Sequence, residues 1–174
     1  NWRIGEQLDN GDLTSYVQAS SGFQTVTVSG TNGYIYIQKM ITIRSGSAST
    51  VAIIKTSTGL DLLEISDLSC NGPSGTTCIR ACNLSPDLGP FDVALENRGN
   101  SYRTFTNVRF QEVTPFSSFA SGWYSIYVFR TNAFNNNNAI AAASAALKTG
   151  GSYTLYMFNG PSSTDGLRTL ILSN

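Results

Sequence analysis

Apolar and polar residues alternate along most of this chain with the period of a strand. In FQTVTVSG, residues 23–30, Val26 and Val28 interleave with Thr25 and Thr27, and a period of two sends each set to its own face of a sheet. YIYIQKMITIR, residues 34–44, is β-branched and aromatic, with Ile35 and Ile37, then Ile41 and Ile43, in register either side of Gln38-Lys39-Met40. Such residues suit a pleated, half-buried surface. STVAIIK (49–55) is apolar on both faces and predicts a buried strand, and LDLLEIS (60–66) predicts its successor. CIRACNL (78–84), FDVALEN (91–97) and SYRTFTNVRFQ (101–111) predict three more, separated by the turn signals Ser85-Pro86-Asp87 and Arg98-Gly99-Asn100. Residues 1–12 set Trp2 and Ile4 among polar neighbours before Asn10-Gly11, which predicts a short strand or an arm. No segment up to Leu68 has helical periodicity.

Sliding the chain on itself changes its organisation. At an offset of 100, Thr14, Ser21, Gly22, Val28, Thr31 and Asn32 meet Thr114, Ser121, Gly122, Val128, Thr131 and Asn132. At 104, Arg44 and Gly46 meet Lys148 and Gly150, and STVAII meets YTLYMF; at 107, GLDLLEISD meets GLRTLILSN. The slips fall in the FNNNN loop (134–138) and the turn before Gly166, and turns are where a structural repeat tolerates insertion. In this register NAIAAASAALK (138–148) lies over YIYIQKMITIR. Its alanines favour helix, but its position in the repeat predicts strand. The centre, from residue 69 to about 104, has no copy. The expected fold is all-β: two tandem immunoglobulin-like antiparallel β-sandwich units. The first, residues 1–68, is expected to lack its opening strands; the second, residues 69–174, is expected to be complete, with about seven.

Charge narrows the partners. Lys plus Arg and Asp plus Glu both number 11, and charged residues make up only 13% of the chain. Nucleic acid and anionic membranes need clustered cations, so both are poor expectations, whereas weak charge favours self-association. No apolar run approaches the roughly 20 residues of a membrane helix, so no membrane span is expected. The start lacks a charged-then-apolar leader, and any export signal is expected to have been removed.

With no His in the sequence, a Ser-His-Asp or Cys-His mechanism is impossible and a zinc set is poor. Asp87 and Asp92 flank a turn, and Asp61 and Glu64 lie along one short strand, so turn capping and solvated faces account for these carboxylates better than acid–base chemistry does. Asp87, after Ser-Pro, reads as an Asx-type turn residue. No catalytic, cofactor or metal-binding residues are expected. Tyr34, Tyr36, Trp123, Tyr124, Tyr127, Tyr156 and Phe158 read as core and cross-strand pairs before they read as a glycan-binding face. Asn83-Leu84-Ser85 fits an N-glycosylation triplet, though Pro86 follows it.

Cys70, Cys78 and Cys82 are the only cysteines. On one strand the Cα atoms of Cys78 and Cys82 lie about 13 Å apart, beyond the roughly 7 Å limit of a disulfide. Cys70 is therefore expected to pair with Cys78 or Cys82, leaving one thiol unpaired or intermolecular, and a disulfide points outside the cytosol.

The stretch IRACNLSPDLGPFDVALEN, followed by FTNVRFQEVTPFSSFASGWYSIYVF, resembles bacterial domain-of-unknown-function family 4397. The matching residues are Arg80, Asn83, Ser85, Pro86, Asp87, Asp92 and Val93, then Thr114, Pro115, Phe116, Gly122 and Tyr124. The resemblance covers residues 78–174, with 13–67 as a partial copy. It implies a secreted, immunoglobulin-like β-sandwich, often in tandem, with no established catalytic activity. The truncated first unit departs from the pattern, because the family's domains carry both opening strands.

A sandwich lacking two strands exposes core side chains and an unpaired row of backbone groups. The expected function is an extracellular, non-enzymatic structural subunit that assembles head to tail with copies of itself, by inter-subunit strand pairing, into a filament or surface layer. Trp2 and Ile4 are the candidate contacts. The alternative is a secreted glycan- or cell-envelope-binding module from a longer tandem array.

Overall fold

The structure, a computed structural model, describes residues 3–133, 138–161 and 166–173. It is all-β, and no described helix is long and apolar enough to cross a membrane. The chain divides into two compact units, Asn1–Leu68 and Ser69–Asn174.

The first unit holds four strands: β1 (Gly22–Ser29), β2 (Ile35–Ile43), β3 (Ser49–Thr56) and β4 (Gly59–Ser66). They form two separate two-stranded antiparallel sheets, β1-β2 and β3-β4. Residues 3–21 contain no strand, so what is described of the opening segment is an arm.

The second unit holds β5 (Thr76–Asn83), β6 (Phe91–Asn97), β7 (Asn100–Val108), β8 (Ser117–Ala120), β9 (Gly122–Arg130), β10 (Ala141–Leu147), β11 (Ser152–Asn159) and β12 (Leu167–Ser173). They form two four-stranded sheets, ordered β10-β9-β6-β7 and β12-β11-β5-β8. The expected count of about seven misses β8, which a single residue, Ser121, separates from β9. The sheets are also not purely antiparallel. β5 runs parallel to β11, from Ser152↔Cys78 to Met157↔Asn83, because β5 enters between β11 and β8 instead of folding back on a sequence neighbour.

Local chemistry explains the tightest connection. Asn97 pairs with Asn100, and the two residues between them, Arg98 and Gly99, have φ of 51° and 80°. A two-residue loop with both φ positive matches the twist of the strands it joins, and glycine adopts it without steric cost. The alanine-rich 141–147 segment is strand β10 because its ladder with β9, Ala141↔Val128 to Leu147↔Gly122, outweighs its helical propensity.

The core of the second unit lies between its two sheets: Ile79 and Ala81 from β5, Phe91, Val93 and Leu95 from β6, Ile126 and Val128 from β9, and Leu155 and Met157 from β11. All are 0% exposed. Burying side chains of this size contributes about 1.5–3 kcal/mol each for the larger ones.

The ladders of the two units share a register. Gly22↔Ile43 through Val28↔Ile37 in β1-β2 corresponds to Gly122↔Leu147 through Val128↔Ala141 in β9-β10. Ser49↔Ser66 through Lys55↔Leu60 in β3-β4 corresponds to Tyr153↔Ser173 through Asn159↔Leu167 in β11-β12. The residue numbers differ by the offsets of 100, 104 and 107 present in the sequence.

Candidate functional site

The Arg80–Asp92 stretch is the arch that carries the chain from β5 in one sheet to β6 in the other, and Arg80, Asn83, Ser85 and Asp92 are buried in it. Asn83 is 0% exposed. Its side-chain amide donates to Val108 O (3.0 Å) and Gly89 O (3.3 Å), and its Oδ1 accepts the Ser85 N–H at 2.8 Å. The Asx turn therefore belongs to Asn83, not Asp87. Asp87 is exposed and accepts from Asn159 Nδ2 at 2.8 Å. Ser85 Oγ donates to Asn159 Oδ1, and Pro86 is half-buried behind it. With its amide engaged and buried, Asn83 has no room for a glycan in the folded unit, which removes the Asn83-Leu84-Ser85 triplet as a modification site.

Asp92 is also 0% exposed. Oδ1 accepts the Asn107 N–H (2.8 Å) and Thr131 Oγ1–H (3.3 Å), and Oδ2 accepts the Asn132 N–H (3.3 Å). Asn107 and Asn132 both have positive φ, 54° and 68°, so the carboxylate fastens two left-handed bends to β6. Arg80 Nε donates to Thr154 Oγ1 at 2.9 Å, and its guanidinium lies 4.8 Å from the Phe116 ring centroid. These groups hold the arch in place, since buried polar groups persist where they are hydrogen-bonded.

Cys70 bonds Cys78, eight positions along the sequence, with Cα atoms 6.1 Å apart. Closing a loop of this length stabilises the fold by about 2.5 kcal/mol on the chain-entropy account. Cys82, later on β5, is free and 0% exposed. Burial pushes its thiol up to about 12 from an ordinary 9.0, with the charge of Arg80 acting the other way. A thiol whose folded pKa is raised stabilises the fold fully below its unfolded pKa and loses that contribution as pH rises through the folded value. Cys82 is therefore expected to resist thiol reagents in the native protein near pH 8 and to react once the protein is unfolded. Stability is expected to fall between pH 9 and about 12. Rapid native labelling in a thiol titration would contradict the burial.

The aromatic residues split. Tyr124 and Tyr156 are core. Tyr34 and Tyr36 are exposed in the first unit, stacked edge-on with ring centroids 5.0 Å apart, and Trp123 is exposed on β9. Asp61 is engaged by Lys39, 2.9 Å away. Among the described residues no three His, Cys, Asp or Glu gather as a metal site.

The strands of the two units differ in how many neighbours they have. In the second, β9 is flanked by β10 and β6, and β11 by β12 and β5; among the described residues β1 pairs with β2 alone and β3 with β4 alone. Side-chain exposure follows the number of neighbours. Met157 and Leu167 are 0% and 8% exposed, whereas Ile53 and Leu60, which hold the same ladder positions in β3-β4, are 45% and 42% exposed. Residues 17–20 show the same effect on backbone. At the offset of 100 they lie over β8, whose ladder partner is β5. With no such partner beside them they form no strand.

Of the two candidate contact residues, Ile4 is 48% exposed in the strandless arm, and Trp2 lies outside the described residues. Sequence reasoning missed a polar cluster in the first unit. Tyr16 Oη and Thr50 Oγ1 both donate to Asp67 Oδ2, each at 2.8 Å. The signal was available, because the offsets carry Tyr16 onto Phe116 and Thr50 onto Thr154, the two residues that hold Arg80.

These observations define a class: an all-β protein with one filled mixed-sheet β-sandwich and one smaller unit whose strands, among the described residues, pair only two by two. The chain belongs to the family described as Domain of unknown function (DUF4397), whose model matches residues 3–94. The match runs through the first unit and ends within β6, so it includes Arg80 through Asp92 but not the stretch to residue 174 over which the resemblance was read. No curated protein matches the chain.

Proposed function

We propose that this chain is an extracellular structural subunit that joins head to tail with copies of itself. In this reading the first unit is a shortened copy of the second, and a strand from a neighbouring subunit occupies its open edges. The observation that carries the reading is the exposure of Ile53 and Leu60 at ladder positions where Met157 and Leu167 are buried. The β1 and β3 edges that are unpaired among the described residues support it, because such N–H and C=O groups along a strand are a template for another chain. The Cys70–Cys78 disulfide supports an oxidising, extracellular setting. An acceptor at one place and a donor at another make a heterologous contact, which yields an open filament where the rotation does not close. The protein carries out no catalysis in this reading.

The exposed Tyr34–Tyr36 pair favours one second reading, a glycan- or envelope-binding module, since exposed aromatic rings stack on sugars. Negative-stain microscopy and sedimentation of the purified chain separate the two. Filaments of constant width that lengthen with concentration are expected. A monomer at millimolar concentration would remove the polymer reading.

A further inference from the structure

The outer face of the β1-β2 sheet carries rings that its own unit leaves in water. With a period of two, Phe23, Thr25 and Thr27 of β1 share a face with Gln38, Met40 and Thr42 of β2. All six are exposed, whereas Ile41 on the opposite face is buried and Ile37 and Ile43 are half-buried. Phe23 is 74% exposed and Met40 63%. Tyr36, at the bulge where the ladder ends, is 54% exposed and packs edge-on against Tyr34. Phe23 lies opposite Thr42, so aromatic rings stand at both ends of the ladder. Tyr36 precedes Thr42 by six positions, a run of about 20 Å at ~3.3 Å per residue.

The second unit repeats the feature. At the offset of 100, Ser21-Gly22-Phe23 and Thr25 correspond to Ser121-Gly122-Trp123 and Ser125, and the pair Phe23↔Thr42 corresponds to Trp123↔Ala146. Gly22 and Gly122 both have positive φ, 115° and 154°, so each strand opens at a bend that suits glycine. Trp123 is 64% exposed, while Tyr124 and Ile126 on the other face belong to the core. Filling a core does not account for a ring kept in water in both units.

The surroundings of the rings select the partner. Among the described residues, no charged side chain of β1 or β2 lies on this face; Lys39 is on the other, where it bonds Asp61. An anionic partner would meet no cation there. A protein partner calls for a contiguous apolar centre, whereas Gln38 and the threonines separate the aromatic ends. Beside Trp123, Ser125 pairs with Ser144 on one side and with Glu96 on the other. A pyranose with equatorial hydroxyls has apolar C–H faces and a polar rim, so it stacks on a ring and bonds hydroxyl, amide or carboxylate groups nearby. Joined by β-1,4 linkages, such sugars form a flat ribbon, which suits the open face of a sheet.

We propose that the outer face of β1-β2 and its counterpart on β9-β10 each bind an uncharged β-1,4-linked glycan, with Phe23 and Tyr36 stacking on sugars in the first site and Trp123 in the second. This rests on the glycan-binding reading above and gives it two faces and a ligand class. It is independent of strand acceptance, because a strand is added at the edge of a sheet and a sugar at its face.

The test is isothermal titration calorimetry of the full chain with cellohexaose and with chitohexaose, on wild type, F23A, W123A and the double variant F23A/W123A. Wild type is expected to bind at least one of the two oligosaccharides at two sites per chain. Each single variant is expected to lose one site, and the double variant to bind tenfold more weakly or worse. W123F and F23Y keep a ring and are expected to keep binding; a loss in these as large as in the alanine variants would overturn ring stacking. The substituted side chains are exposed, so melting temperatures by circular dichroism should not move. If one oligosaccharide binds and the double variant keeps it, these faces are wrong although the glycan-binding reading survives. If neither binds wild type, that reading and this proposal fail together. If, in addition, the double variant loses self-association in sedimentation, the rings belong to a contact between copies.

Discussion

A chain lacking residues 1–6 is expected to stay folded and to remain monomeric at concentrations where the full chain polymerises. The described part of this segment belongs to no strand, and the cores begin further along, with the second unit's centred on Ile79, Phe91, Ile126 and Met157. Its removal should therefore leave the unfolding of residues 69–174 unchanged. On the proposed reading, the deletion removes the candidate contacts Trp2 and Ile4. Burying Trp2 and Ile4 would stabilise each junction by about 3–6 kcal/mol, before main-chain hydrogen bonds are counted. At about 1.4 kcal/mol per factor of ten, that is two to four orders of magnitude in junction affinity. Sedimentation velocity of the deleted and full chains gives the answer. Normal polymerisation of the deleted chain would assign the donor to another segment.

Two substitutions at one ladder position are expected to act in opposite ways. Met157→Ala removes a core side chain that is 0% exposed and should destabilise the second unit by about 2–5 kcal/mol, the usual range for truncation in a filled core. Ile53→Asp falls at the same position in the first unit, where 45% exposure leaves the side chain in water. In the monomer its cost should stay near the ~0.5 kcal/mol typical of surface changes. In the polymer it would place a charge in a closing core, and assembly should be lost because a buried unpaired carboxylate is far costlier than an exposed one. Urea unfolding and sedimentation on both variants separate these effects. An Ile53→Asp chain that unfolds early while wild type stays monomeric would mean that the first unit closes its own core.

Some of this molecule is legible without coordinates. Alternation along 23–30, 34–44 and 49–55 encodes strand and face, because a residue's side of the sheet depends only on its place in the pleat. The geometry of one strand likewise excludes a bond between Cys78 and Cys82. The Arg80–Asp92 motif and the family follow from residue identity alone. Local alternation does not encode which strand lies alongside. That is settled by closing long loops over a shared core, and only the tertiary structure decided it. β5 runs parallel to β11 because it fills the space between β11 and β8, and nothing in CIRACNL states that direction. Cys70 meets Cys78 and not Cys82 because Cys70 sits beside Ser152, the ladder partner of Cys78, whereas Cys82 lies four residues further along β5. Asn83, not Asp87, makes the Asx turn because Asn83 points inward and Asp87 faces water. Residues 17–20 form no strand although the offset of 100 sets them over β8, because a ladder needs two strands. Tyr16, Thr50 and Asp67 are far apart in sequence, and the folding of the first unit alone brings their side chains to one place.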